Sequence, residues 1–290
     1  MKKFISKIIG LYLNTLSILA PKYAGKLGFE LFCHPFRTKL TDKHLEFLRT
    51  ATQSELKIGG ETIKWYRWGN GPKKILMLHG WESHTYRWKS YIEALDQEQF
   101  TILSIDAPGH GLSTGRFMSV PFYKEAIEKL LVEIGTPEIV IGHSIGGFTG
   151  MYTFYLHPDR APQKFVSLAP PGEAIEFFDF YRLQLGLTSY CTKLVIEHFT
   201  QIVGNPPSYF SAPSFVADFN FHGLLIHDEG DDETSVENSR AIHQSWRHSQ
   251  LIITRGKGHN LKSAEIVNTV VGFVQDSTNA KRIGNLKLVS

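Results

Sequence analysis

The chain has 290 residues, of which 42% are hydrophobic and 20% charged, a composition typical of globular proteins rather than of disordered or membrane-spanning ones. Its formal net charge is only +3 and its lysines and arginines form no clustered stripe, which argues against nucleic acid as a partner. The two cysteines, Cys33 and Cys191, show neither Cys-x-x-Cys spacing nor the histidine pairing of a zinc site, so neither a disulfide framework nor a structural metal is expected.

The first predicted element is a helix over the hydrophobic stretch from Phe4 to Ala20, which follows Met1-Lys2-Lys3 and superficially resembles a secretory signal. Lys7 and Asn14 interrupt the stretch, which falls short of the roughly 20 uninterrupted apolar residues of a membrane span. On a helix one apolar stripe forms, made of Ile5, Ile8, Ile9, Tyr12, Leu16 and Leu19. Three interpretations stay open: a helix packed on its own domain, a helix on a membrane surface, and a signal peptide or anchor. The expected localisation is cytoplasmic, with membrane association through residues 1–20 as the alternative.

From about residue 54 the pattern is typical of an α/β protein. Two strands, Glu55–Ile58 and Glu61–Trp68, are predicted on either side of Gly59-Gly60, a pair that suits a tight hairpin turn. Six short apolar runs, typical of parallel strands covered on both faces, follow: Ile75–Leu78, Thr101–Ile105, Ile139–Ile141, Phe165–Leu168, Leu224–Ile226 and Leu251–Ile253. Helical patterns lie between several of them: Tyr86–Leu95, Pro121–Ile134, Gly147–Leu156 and Ser263–Val274. The alternation predicts a mostly parallel sheet, covered by helices on both faces, whose first strands are antiparallel.

Between the strands near Ala169 and His222 the alternation stops, and aromatic residues collect on two predicted helices. These residues are Phe177, Phe178, Phe180, Tyr181, Tyr190, Phe199, Tyr209 and Phe210. We interpret residues 170–220 as a small helical cap that roofs an apolar pocket, with ordinary core packing of the same side chains as the alternative. The predicted organisation is therefore a helical extension over residues 1–53, a domain over residues 54–275 that contains the cap, and a loosely ordered tail over residues 276–290.

The most informative segment is Gly142-His143-Ser144-Ile145-Gly146, a Gly-x-Ser-x-Gly motif between an apolar strand and a helical pattern. A serine on a very sharp strand-to-helix turn sits in strained backbone geometry, and a side chain two residues away on either side would collide with it. The turn lifts the hydroxyl above the sheet edge and places the N–H of Ile145 at a helix N-terminus, where an oxyanion is favoured. A glycine-rich turn whose serine only caps the helix is the alternative.

Three motifs in this order resemble the α/β-hydrolase superfamily. They are Leu78-His79-Gly80-Trp81, Asp106-Ala107-Pro108-Gly109-His110-Gly111-Leu112-Ser113 and Gly142-His143-Ser144-Ile145-Gly146-Gly147. Short-capped esterases and monoacylglycerol-lipase-like members are the most similar in character, and the resemblance covers roughly residues 55–275. It implies a serine nucleophile, Ser144, and a structural role for the motif that begins at Asp106.

A serine hydroxyl needs a base whose pKa is close to the working pH, and histidine is the usual one. Of the 13 histidines, His259 is favoured because it lies in a loop after the last predicted strand, beyond the carboxyl end of the sheet. The resemblance places the catalytic histidine there too. His79, His143 and His227 are interpreted as structural.

The acid that orients this histidine is expected in the segment from Asp228 to Asp232. Superfamily members usually read His-Gly-x-x-Asp here, which counts onto Asp231. This segment departs from the usual pattern, since Asp228 stands at the position where glycine is customary. Asp232 and Asp228 are therefore kept as alternatives. Thr234-Ser235 also stands where Val-Pro is common.

The resemblance implies that the second oxyanion donor is the backbone N–H of Trp81, whose indole is also a candidate wall of the acyl pocket. Further candidate substrate contacts are Phe177, Phe178 and Tyr181 on the predicted cap. No cofactor and no metal are implied. The predicted activity is that of a serine hydrolase, a carboxylesterase or lipase-like enzyme, which cleaves an ester of an apolar acyl or aryl group through an acyl-enzyme.

Several alternatives to this activity remain. The same triad serves thioesterases, carbon–carbon bond hydrolases and perhydrolases, whereas epoxide and haloalkane hydrolases of this fold use an aspartate nucleophile. A ligand-binding receptor or scaffold with little turnover is the alternative from another class. The expected partner is a small ester, with a peripheral membrane contact through residues 1–20 left open and no nucleic acid.

Overall fold

The protein, described here by a computed structural model, is built around one eight-stranded sheet with the order β1-β2-β4-β3-β5-β6-β7-β8. The structure describes residues 2–275, with side chains from Ile5 onward. The strands are β1 Thr52–Ile58, β2 Glu61–Trp68, β3 Lys73–Leu78, β4 Phe100–Ile105, β5 Ile139–His143, β6 Lys164–Leu168, β7 His222–Asp228 and β8 Ser249–Thr254. β1 pairs antiparallel with β2, and β2 with β4, while all other pairs are parallel. The predicted fold class is thereby confirmed.

The central strands are buried because helices cover them, as their continuous apolar runs predict. β5 is buried along its whole length, and β3 from its third residue on. β3 and β5 lie side by side with Leu78 opposite Gly142. The chain therefore leaves both strands at the same edge of the sheet, where the candidate site forms. β1 is the outermost strand on one side of the sheet, and Gly59 and Gly60, which both have positive φ, close its hairpin with β2.

Residues 35–171 and 212–275 carry the sheet and form one compact unit, the sheet unit. Its helices are α3 Asp42–Leu48, α4 Lys89–Ala94, α5 Val120–Ile134, α6 Ile145–Leu156, α9 Ala212–Val216, α10 Val236–Ser245 and α11 Ala264–Gln275. The predicted single helix over Tyr86–Leu95 is wrong in detail, because residues 85–88 form a 3₁₀ turn before α4. α10 was not predicted.

Residues 2–34 and 172–211 form a second compact unit, the helical unit. It contains α1 Lys2–Leu19, α2 Pro21–Phe32, α7 Ala174–Leu185 and α8 Ser189–Val203. Aromatic rings fill its interior: Phe178 stacks on Phe32 with a centroid distance of 4.5 Å and contacts Phe199 edge-on. The hydroxyl of Tyr181 donates to the Gly28 carbonyl at 3.0 Å. Within this unit, aromatic side chains of α7 thus hold α7 against α2 and α8.

The N-terminal stretch is helical, as predicted, and α1 packs on α2, α7 and α8 within the helical unit. Among residues 2–275, no helix is long and apolar enough to cross a bilayer. The predicted tail over residues 276–290 lies outside the described residues.

Candidate active site

The serine of the Gly-x-Ser-x-Gly motif occupies the turn between β5 and α6. Ser144 has φ +51° and ψ −130°, a combination that L-residues rarely adopt and that costs about 1–3 kcal/mol. A Cβ on Gly142 would lie 2.4 Å from Gly147 Cα, and one on Gly146 would lie 2.4 Å from the His79 carbonyl oxygen. Both glycines are therefore required by close backbone approach, as the sequence analysis expected.

The strained turn is held by backbone hydrogen bonds. The Ser144 N–H donates to the Leu168 carbonyl at 2.8 Å, and the Phe148 N–H donates to the Ser144 carbonyl at 3.1 Å. Ile145 is the first residue of α6, so its N–H has no acceptor inside the helix. The turn thus presents a hydroxyl and a helix N-terminus in the same place.

His259 lies in the loop between β8 and α11, and its side chain is only 7% exposed. Its Nδ1 hydrogen-bonds Asp231 Oδ2 at 2.8 Å. Since a carboxylate only accepts, Nδ1 carries the proton and Nε2 is left as the basic nitrogen. The Glu233 carboxylate also lies near Nε2, with Oε2 at 3.6 Å and a side chain that is mostly exposed.

Asp231 is buried at the centre of a group of donors. Besides His259, its carboxylate accepts the backbone N–H groups of Glu233 at 2.8 Å and Thr234 at 3.0 Å, and the Thr234 hydroxyl at 3.1 Å. His227 Nε2 lies 3.2 Å from the same oxygen that binds His259. Burial alone would raise the pKa of Asp231, but the hydrogen bonds, with that from His227 the largest, outweigh it and hold this pKa well below its ordinary value.

The two alternative acids have other positions. Asp228 accepts the Thr254 hydroxyl and the Lys257 N–H, each at 2.8 Å, and so ties the end of β7 to the loop that leads to His259. Asp232 is exposed. Of the three candidates, only Asp231 bonds the imidazole.

Two side chains hold the loop that carries His259 through hydrogen bonds to its backbone carbonyls. Neither was predicted to have this role. His143 Nε2 donates to the carbonyl of His259 at 2.9 Å. Arg87 Nη2 donates to the carbonyl of Asn260 at 2.9 Å. Burial lowers the pKa of His143 well below its ordinary value, helped by the nearby Arg87 and His259 charges, so this imidazole is neutral and keeps its donor role.

The loop after β3 runs beside the serine. A Cβ on Gly80 would lie 3.1 Å from Ser144 Cβ, so the backbone that leads to Trp81 passes against the nucleophile. His79 Nε2 accepts the Ala107 N–H at 2.9 Å and its Nδ1 donates to the Gly80 carbonyl at 2.8 Å. The His79 ring thereby holds the loop to the segment that follows β4.

The motif that begins at Asp106 supports the same loop. The Asp106 carboxylate accepts the Thr85 N–H at 2.8 Å and the Leu112 N–H at 2.9 Å. His110 Nε2 accepts the N–H of Glu82 at 3.0 Å, and Glu82 itself has a positive φ of 50°. These contacts fit the structural role that the resemblance implied and place the motif behind the candidate oxyanion loop.

Ser144, His259 and Trp81 line one cavity of about 400 Å³ within the sheet unit, a size typical of small-molecule sites. The remaining lining residues are largely polar: Thr38, His44, Glu82, Ser83, His84, Tyr86, Arg87, His143, Glu233, Asn260 and Lys262. The predicted substrate contacts Phe177, Phe178 and Tyr181 lie on α7 in the helical unit, and their contact with substrate stays a prediction. Within residues 2–275, no three or more histidine, cysteine, aspartate and glutamate side chains are grouped to hold a metal ion.

Comparisons with known proteins concern the fold and the overall sequence. The family model of the alpha/beta hydrolase fold matches residues 73–213. The chain is 27% identical over 157 residues to the dihydrolipoyllysine-residue acetyltransferase component of the acetoin cleaving system of Cupriavidus necator, covering 53% of this chain and 40% of that protein. It is 29% identical over 97 residues to pimeloyl-[acyl-carrier protein] methyl ester esterase of Edwardsiella ictaluri, covering 33% of this chain and 36% of the esterase. The chain thus spans less than half the length of these two relatives.

Solved structures share the architecture. Bromoperoxidase from Bacillus anthracis superposes with a TM-score of 0.61 and 17% identity, over 78% of this chain and 100% of that one. At this identity the likeness concerns the fold alone. Together with the sheet order and the family match, it leads to one conclusion: the chain is a protein of the α/β-hydrolase fold.

Proposed function

We propose that the chain hydrolyses carboxylic esters by acyl transfer to Ser144. The observation that carries the proposal is the short Nδ1–Asp231 hydrogen bond of His259, which leaves Nε2 as the base in the cavity that Ser144 also lines. The ester esterase among the relatives supports the choice of bond. The proposal concerns the bond that is cleaved and not the acyl group, because the cavity wall within the sheet unit is largely polar.

The first half-reaction forms the acyl-enzyme. Ser144 Oγ attacks the carbonyl carbon while its proton passes to His259 Nε2, and the Asp231 carboxylate stabilises the imidazolium that results. The imidazolium then gives the proton to the alkoxide oxygen as the carbon–oxygen bond breaks, and the alcohol leaves. Water repeats the sequence on the acyl-enzyme, with its proton going first to His259 and then to Ser144, so that the carboxylic acid is released.

The negative charge of each tetrahedral intermediate needs donors that are already in place. We assign this role to the N–H of Ile145 at the start of α6 and to the N–H of Trp81, which follows the Gly80 that passes against Ser144. Each such donor typically lowers the barrier by about 3 kcal/mol. The hydrogen bonds of His79 and His110 hold the Trp81 segment in position before substrate arrives.

A fluorophosphonate probe tests the proposal, because it phosphonylates only an activated serine. We expect rapid labelling of the wild-type chain and no labelling of Ser144→Ala. The matched control is Ser83→Ala, since Ser83 lines the same cavity but has no partner role in the mechanism. Labelling of Ser144→Ala at the wild-type rate would remove Ser144 from the chemistry. Wild-type protein that takes no label and turns over no p-nitrophenyl ester would instead favour a binding protein.

A further inference from the structure

Helix α1 exposes large apolar side chains to solvent, whereas a typical surface helix buries them. From Ile5 onward it exposes six large apolar side chains, and they recur at three- and four-residue spacing on one face. They are Ile5 at 51%, Ile8 at 52%, Leu11 at 69%, Tyr12 at 55%, Ile18 at 77% and Leu19 at 77% exposed. Thr15 lies among them and donates its hydroxyl to the Leu11 carbonyl at 3.0 Å, and Lys7, which is also exposed, donates its ammonium to the Leu183 carbonyl. We call this set of residues the α1 outer face.

The opposite face of α1 is packed on the rest of the helical unit, and its contacts fix the rotation of the helix. Gly10 packs so closely on α7 that a Cβ there would lie 1.9 Å from the Leu185 carbonyl oxygen. Asn14 donates to the Gly186 carbonyl at 3.0 Å and accepts the Thr188 N–H at 2.8 Å. Leu13 is fully buried with Leu185, Leu187 and Cys191. The helix cannot roll to bury its outer face without breaking these contacts.

Neighbouring residues of the helical unit extend the apolar character of this surface. Leu183 is 66% exposed and its carbonyl accepts the Lys7 ammonium at 3.1 Å, which places it beside α1. Isolated exposed apolar side chains are common, but a contiguous set of six on one helix face indicates an interaction surface. Among residues 2–275, α1 is not long and apolar enough to cross a bilayer, nor is any other helix.

The charge of the same segment is one-sided. Residues 1–32 contain five lysines and one acidic residue: Lys2, Lys3, Lys7, Lys22, Lys26 and Glu30. A second copy of the chain, packed face to face, would bring two such sets of lysines together and lose energy to like-charge repulsion. An anionic lipid surface accepts apolar side chains in its acyl layer and attracts the lysines to its headgroups. The combination of shape and charge therefore favours a membrane over a dimer.

We propose that the α1 outer face binds the surface of an anionic phospholipid bilayer, with α1 lying in the plane of the interface. The helix inserts Ile8, Leu11, Ile18 and their neighbours among the first acyl carbons, while its packed face keeps the helical unit attached. This inference does not depend on the esterase activity.

Co-sedimentation of the full chain with vesicles tests the inference. The wild-type chain is expected to pellet with vesicles of phosphatidylcholine and phosphatidylserine, to pellet less with phosphatidylcholine alone, and to be released by added salt. In the Leu11→Ser/Ile18→Ser variant the partition coefficient should fall on the order of 100-fold, because two large aliphatic side chains no longer insert. The matched control is Val132→Ser, which removes a side chain that is 72% exposed on α5 of the sheet unit, and it should partition like wild type.

Circular dichroism of each variant checks the fold, and the single variants Leu11→Gln and Ile18→Gln replace the double variant if it misfolds. Equal partition of wild type and the α1 variants would overturn the inference, as would no binding to anionic vesicles. Sedimentation velocity tests whether a second copy of the chain binds the α1 outer face instead. A wild-type dimer that the α1 substitutions dissociate, in a chain that ignores vesicles, would show that the outer face is a protein interface.

Discussion

Helices α6 and α1 are both rich in apolar residues, yet they use them in opposite ways. Every residue of α6 from Ile145 to Phe154 is buried, and its glycines allow the backbone to approach β3 and β5 closely. α1 also approaches its neighbours through a glycine, Gly10, but turns its large apolar side chains outward. Hydrophobicity therefore predicts which side chains avoid water, whereas only tertiary packing shows whether the protein itself buries them.

The proposed chemistry lies at the edge of the sheet beside the buried helix α6, and the largest expected effect tests that proposal. Asp231→Asn should lower kcat by about 10⁴-fold, because an amide can no longer hold His259 in the tautomer with a free Nε2. Steady-state hydrolysis of a p-nitrophenyl ester measures the effect.

The neighbouring acid supplies the control. Asp232→Asn removes an exposed carboxylate and should leave kcat unchanged. If Asp232→Asn lost the activity while Asp231→Asn kept it, the Asp231–His259 hydrogen bond would have no part in catalysis.

A smaller effect tests whether α6 is as tightly packed as the comparison requires. Gly146→Ala places a Cβ 2.4 Å from the His79 carbonyl oxygen and should lower the free energy of unfolding by about 1–3 kcal/mol. Gly272→Ala on α11 meets nothing within 4 Å and should raise it by about 0.5–1 kcal/mol through helix propensity. Urea unfolding of both variants gives the answer, and a neutral Gly146→Ala would contradict the close approach of α6 to the loop after β3.

The smallest expected effect is the pH dependence of stability. It comes from buried histidines of the sheet unit, whereas the apolar side chains of the α1 outer face do not titrate. Burial lowers the pKa of His79, His110 and His143 in the folded chain, so the unfolded chain binds more protons below its histidine pKa of about 6.5. Stability is therefore complete above pH 6.5 and is lost as pH falls below it, by up to about 1.4 kcal/mol per pH unit for each histidine. The Asp231 shift acts only below about pH 4, the ordinary aspartate range, and does not enter this window.

Denaturant midpoints between pH 7.5 and 5.5, about one unit on either side of the histidine pKa, measure this slope. His143→Gln keeps a donor for the His259 carbonyl but cannot titrate, and its slope should be smaller than that of wild type by one histidine. Identical slopes would mean that His143 is not held neutral by burial.

Much of the sheet unit could be predicted because its residues are constrained locally. Continuous apolar runs marked all the central strands, and the glycines around Ser144 follow from a turn that no side chain can enter. Asp231 could be counted from its loop, although two departures from the usual pattern obscured it. One departure has a physical role: Thr234 donates its hydroxyl to Asp231.

The supporting contacts could not be predicted, because they join residues far apart in the chain. Arg87 and Asn260 are separated by 173 positions, and no local pattern connects them. His227 ends a strand and gave no sign that its ring faces Asp231. α10 was missed because its sequence is mostly polar and its buried face is narrow.

The sequence also could not predict whether the apolar stripe of α1 faces the protein or the solvent. Periodicity identified a face with Ile5, Ile8, Tyr12 and Leu19, but could not say whether protein or solvent covers it. Ile9 and Leu16, expected in the same stripe, are half-buried at its margin. The deciding contacts come from Leu185 and Thr188, more than 170 residues away in sequence from Gly10 and Asn14.

Mass spectrometry of the acyl-enzyme would show whether Ser144 is the nucleophile. Acid quenching during turnover of a p-nitrophenyl ester, followed by proteolysis and mass spectrometry, locates the acyl group on a peptide. We expect one acyl group on Ser144, and its formation should release a burst of p-nitrophenol equal to the enzyme concentration. Steady turnover with no burst and no acylated peptide, or acylation of another residue, would contradict it.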